Sequence, residues 1–110
     1  MKTIKINAWG KEHELFFSLN RYAFSNNLCV NLMEVNEGPW STLTTNFGIE
    51  LAEDEAFIDL NNNTGFDKIL IEKGIAKPTG YEVPSGFCRY PCFKFDMDVV
   101  REYTVDCCEG

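Results

Sequence analysis

Positive charge is what this sequence has least of. Ten lysines and arginines stand against 17 aspartates and glutamates, leaving a net charge of −7 over 110 residues. Each phosphate contact draws on a Lys or Arg, so neither nucleic acid nor an anionic membrane is expected as a direct partner. Long apolar runs are missing too: nothing approaches the ~20 residues that a membrane helix needs. The opening MKTIKINAWGKEHE starts with positive charge, but Lys5, Asn7, Lys11 and Glu12 interrupt any apolar core of a secretory signal. A cytoplasmic protein is therefore expected. With 45% hydrophobic and 14% aromatic residues the chain is too apolar to stay disordered.

Signatures of chemistry are equally scarce. The sequence has no nucleophile elbow, no phosphate-cradling glycine loop and no helix-borne pair of histidines. His13, the only histidine, lies between Glu12 and Glu14 and reads as a solvated strand residue rather than a catalytic base. Asp54 and Asp59 could serve as acid and base, yet so acidic a segment produces such pairs by chance. No enzymatic activity and no cofactor are expected.

Five cysteines, an odd number without the density of a small secreted scaffold, suit a reducing compartment as free thiols. Cys88, Cys92, Cys107 and Cys108 could in principle surround zinc, but no pair has the usual two-residue gap, so no metal is expected. Cys88, Tyr90 and Cys92 instead alternate with Phe87, Arg89 and Pro91, as the two sides of a strand do.

The pattern along the chain is mostly that of strands. Thr3 to Asn7, a turn at Trp9-Gly10-Lys11 and His13 to Phe17 predict an N-terminal hairpin. Leu28 to Val35 and Trp40 to Phe47 read as two more strands, and Ala56 to Leu60 as a short buried one ending at three asparagines. One segment has helix punctuation: Thr64 as N-cap with Asp67 three residues on, Phe66, Ile69 and Leu70 on one face, and Gly74-Ile75 as the stop. Extended segments follow from Tyr81 to Val83 and from Phe87 to Phe95, with Pro91 at an edge or bulge, and Asp96 caps a last helical turn. These elements predict an α+β fold: a mainly antiparallel sheet of five or six strands with one principal helix, about 64–73, on one face. A single domain over 1–103 and a frayed tail over 104–110 are expected.

Between Arg21 and Lys68 there is no basic residue, while Glu34, Glu37, Glu50, Glu53, Asp54, Glu55, Asp59 and Asp67 all fall inside. An even spread of the ten basic residues would place about four there. The plain reading is a solvated, solubilising face. The sharper one is a contact surface formed or bordered by Glu50, Glu53, Asp54, Glu55 and Asp59 for a protein partner with a basic surface. Alternate strand residues such as Glu53 and Glu55 would stand about 6.6 Å apart, near the spacing of phosphates along a nucleic-acid strand.

Tyr22 with Asn26-Asn27-Leu28, Leu43 to Asn46, Ala56 to Asp59 with its asparagines, Thr79-Gly80, Ser85 to Cys88 and Tyr90-Pro91 together resemble a family. It is a family of small acidic proteins of unknown function from Gram-positive gut bacteria and their mobile elements. The resemblance spans roughly Ile4 to Tyr103 and carries over no catalytic residues. It implies an accessory gene of a plasmid, phage or integrative element, a setting in which small acidic proteins often resemble inhibitors of host defence.

Three readings follow: a non-enzymatic protein-binding module using its acidic surface against a basic groove; an accessory protein assembling through an aromatic-rich sheet face; and a small ligand binder or enzyme with a pocket among Trp9, Trp40 and Tyr90.

Overall fold

A computed structural model describes residues 1–105. Its first hairpin follows from turn chemistry. Strands β1 (Ile4–Ala8) and β2 (Lys11–Arg21) are joined by Trp9 and Gly10, whose φ angles are 52° and 73°. Two successive positive φ values make the turn whose twist matches that of the strands it joins. β3 (Leu28–Glu34) and β4 (Gly38–Thr42) complete a four-stranded antiparallel sheet in the order β1-β2-β3-β4.

The expected single sheet of five or six strands is instead two sheets of four. β5 (Thr44–Thr45), β6 (Glu55–Ile58), β7 (Ala76–Ser85) and β8 (Cys88–Phe95) pair in the order β5-β6-β8-β7. The division falls at Leu43, inside the run Trp40 to Phe47 that reads as one strand. Its N–H donates to the Val30 carbonyl of the first sheet at 2.9 Å, and its own carbonyl accepts from Asp59 N–H in the second at 2.8 Å. One residue thus serves both ladders, and its buried side chain lies in the core between them.

That core joins Leu15, Phe17, Val30 and Leu32 from the first sheet to Ala56, Ile58, Phe93 and Phe95 from the second. Alternation along each strand puts these on one face. Phe57 and Cys92, paired across β6 and β8, are buried on the other face of the second sheet. There Phe47 lies against Phe57 and Tyr90, with ring centroids 5.4 and 4.9 Å away. The expected alternation is present from Phe87 to Tyr90, with Phe87 and Arg89 exposed and Cys88 and Tyr90 half-buried, and it breaks at Pro91, which is half-buried beside buried Cys92. Pro91 sits just past the end of β6 pairing, where its missing N–H leaves no ladder bond unmade on that side.

Helix α1 (Phe66–Glu72) starts later than expected and is capped differently. Gly65 is the N-cap, with φ of 83°, while the Thr64 hydroxyl donates to the Leu60 carbonyl instead of capping. Thr64 is drawn back by the preceding turn. The stop is as the sequence predicts: Gly74 has φ of 68°, its N–H bonds the Ile71 carbonyl, and buried Ile75 bonds the Leu70 carbonyl. That is the paired-bond ending in which glycine supplies the left-handed turn. Phe66 and Leu70 face the core. A second short helix, α2 (Met97–Glu102), is capped by Asp96, whose carboxylate accepts from the N–H groups of Asp98 and Val99. Thr104 bridges to Phe17, and of the expected tail the residues 106–110, with Cys107 and Cys108, lie outside the described residues. Among the described residues no helix is long and apolar enough to cross a membrane.

Candidate functional site

Two loops meet at one end of the molecule. Residues 22–27 join β2 to β3, and residues 46–54 lead from β5 into β6. The joint is Asn27, only 3% exposed. Its Nδ2 donates to the Ile49 carbonyl at 2.6 Å and its Oδ1 accepts from Leu51 N–H at 3.0 Å, so one side chain satisfies two backbone groups that no strand would pair. Ser25 Oγ adds a bond to Asn46 Oδ1 at 3.0 Å. Arg21 reaches across to the Glu53 carbonyl at 2.8 Å. Within the first loop, Tyr22 N–H bonds the Asn27 carbonyl and Asn26 N–H bonds the Tyr22 carbonyl.

On this braced loop Phe24 is 99% exposed. A phenyl ring held in water on an ordered scaffold forgoes the burial that usually fixes an aromatic side chain. Nothing in the sequence marks Phe24 apart from the other phenylalanines; only the geometry of the loop does.

The structure divides the predicted acidic residues. Glu50 and Glu53 are exposed, and among the described residues their carboxylates have no hydrogen-bond partner. Asp54 pairs with Lys94 at 2.9 Å, and this amine holds its carboxyl below the usual range. Glu55 Oε1 accepts from Ala52 N–H at 3.2 Å, stapling the turn ahead of β6. Asp59 is at the far end of β6, where it accepts from the N–H groups of Asn61 and Asn62 and from Asn62 Nδ2. Glu53 and Glu55 do not form a strand row, because Glu53 precedes β6. The strand also separates Asp54 from Asp59, so they do not converge as acid and base.

Tyr22 anchors the same end. Its hydroxyl meets Thr44 Oγ1 at 3.0 Å, and burial pushes its pKa up to about 12. A raised folded value means that stability from this group is complete below the ordinary 10.0 and drains away as pH rises toward about 12. Measured against Tyr22→Phe, the parent's urea midpoint should therefore fall across that window, and a constant difference would contradict the assignment.

At the opposite end of the first sheet His13 is buried rather than solvated. Its Nδ1 meets Glu34 Oε2 at 2.6 Å and its Nε2 meets the Ala8 carbonyl at 3.2 Å. Both nitrogens are committed to protein acceptors, and the ring supports Trp40, 4.6 Å away between centroids. Trp9 lies 5.3 Å from Trp40. Together they wall a cavity of about 650 Å³ that Tyr90 does not line. Among the described residues Cys29, Cys88 and Cys92 are free thiols, and no three potential metal ligands cluster.

Over residues 16–109 the chain matches a family described as a domain of unknown function (DUF4313), and it belongs to that family. No curated protein and no solved structure matches it.

Proposed function

We propose that this member of the family is a non-enzymatic protein-interaction module that docks through the loop pair 22–27 and 46–54. The observation that carries the reading is Phe24, fully exposed on a loop that Asn27 fixes from beneath. An aromatic ring on a loop whose backbone is already braced is the kind of anchor that dominates binding energy when it enters a partner's pocket, with only the ring's own rotamer left to order. Glu50 and Glu53 stand on the adjoining loop and favour a pocket rimmed by Lys or Arg. Locally Glu50, Glu53, Asp54 and Glu55 outnumber Arg21 and Lys94, and the net charge of −7 reinforces the sign. A basic groove that binds nucleic acid is the fitting target. In the cytoplasm, as an accessory product of a bacterial mobile element, such a module would act as a counter-defence inhibitor by occupying that groove.

Affinity capture with immobilised protein tests this. Proteins held by the parent at low salt should be lost by Phe24→Ala and by the pair Glu50→Lys and Glu53→Lys, each variant keeping the parent's melting temperature. Screening within about 8 Å at physiological ionic strength should weaken capture by the parent as salt rises. A retained partner that both variants hold as well as the parent would refute the surface.

A further inference from the structure

The Trp9 hairpin carries a second, separate feature. Trp9 is 86% exposed and occupies a left-handed backbone position that favours Asn or Gly over a bulky side chain. Both the exposure and the conformation count against Trp, and strain of this kind marks functional positions. Its ring is nonetheless placed: it stands at 87° to His13 and 48° to Trp40, and His13 is itself held by Glu34 and Ala8.

The cavity beside it, about 650 Å³, is within the ~300–1,000 Å³ of small-molecule sites. Its polar lining is mostly neutral. Asn7, Ser41, Asn62, Asn63 and Thr64 contribute amides and hydroxyls, Lys5 adds one amine, and no carboxylate lines it. Asn63 is the best defined. It is 5% exposed, and its Nδ2 donates to the Thr42 and Asp59 carbonyls at 2.9 and 3.0 Å. Those two bonds fix the orientation of the amide, and its Oδ1 has no partner among the described residues. That oxygen is open to the cavity and not sealed in the core, so with the donor half of the amide committed it can accept an O–H or N–H from a ligand.

We infer that this cavity binds a neutral saccharide. A pyranose ring has an apolar C–H face that lies on one aromatic surface and a rim of hydroxyls, each both donor and acceptor. Side-chain amides match that rim, since each offers a donor and an acceptor. Trp9 and Trp40 already pack on each other at 5.3 Å, which closes the slot that would sandwich a planar base. The exposed part of Trp9 that lines the cavity is what remains for the C–H face of a sugar. The site is independent of the Phe24 loops, because the eleven-residue strand β2 separates the two ends.

The test is a titration of the intact protein with cellobiose, maltose, lactose and N,N′-diacetylchitobiose, with adenosine and uridine in parallel. Indole N–H resonances and tryptophan fluorescence are the readouts. At least one disaccharide should shift both indole signals with a dissociation constant on the order of 1 mM. Trp9→Asn creates the Asn-Gly pair that this turn prefers, so its melting temperature should equal or exceed the parent's while binding weakens at least tenfold. Phe24→Ala should bind the sugar as the parent does, which separates this inference from the docking surface. No indole shift with any disaccharide at about ten times that concentration, binding of the nucleosides instead, or undiminished binding by Trp9→Asn would each overturn it.

Discussion

Replacing Asn27 with leucine should destabilise the protein by about 2–4 kcal/mol and set both loops of the docking end free. The substitution keeps the side chain's volume but leaves the Ile49 carbonyl and the Leu51 N–H without partners. Each orphaned, partly buried backbone group costs about 1–3 kcal/mol, with water entry holding the total to the lower half of the sum. Amide exchange is the measurement. Leu51 and the neighbouring amides of 46–54 should lose protection beyond the global change, while those of β2 and β3 should not. If exchange rises evenly across the molecule, Asn27 is an ordinary core contributor and the loops are held by something else.

Phe57→Ala should cost more and act differently. Phe57 is fully buried on the outer face of the second sheet, against Phe47 at 5.4 Å and Tyr81 at 5.8 Å. Truncating a buried phenylalanine costs about 3–5 kcal/mol, which in a domain of this size lowers Tm by at least about 10 °C. Phe47 belongs to the 46–54 loop, so its seat vanishes with the Phe57 ring. Core amides of both sheets should then exchange faster by a similar factor, roughly 100-fold or more, because the loss is global. A Tm change of only a degree or two would mean that the outer aromatic layer contributes little, and that one apolar face alone sustains the second sheet.

What could be read from the chain was local. The turn at Gly10, the Gly74-Ile75 helix stop and the Asp96 cap each depend on a few adjacent residues, although Trp9 takes its left-handed place in that turn against its own preference. Thr64 failed as a cap although its spacing to Asp67 was right, because Gly65 takes the left-handed position and the Thr64 hydroxyl turns back to Leu60. The exchange of sheets at Leu43 left no mark in hydrophobic pattern, since a residue buried between two sheets looks like any buried strand residue.

The docking end was half legible. A basic-free interval in sequence singled out Glu50 and Glu53, but antiparallel pairing sets Lys94 opposite Glu55 and against Asp54, and β6 carries Asp59 away. Charge proximity along a chain does not survive strand pairing. Phe24 and Asn27 were invisible for a related reason. One is distinguished by what it fails to touch, and the other by bonds to residues more than 20 positions away.

The central claim is that the loops 22–27 and 46–54 together form the partner surface. Amide hydrogen exchange of the protein alone and bound to its captured partner tests it most directly, because the footprint does not depend on any substitution. Protection should appear in both loops, around Phe24 and from Ile49 to Glu53, and leave the Trp9 hairpin unchanged. Protection confined to other segments, with both loops exchanging as they do in the free protein, would contradict the account.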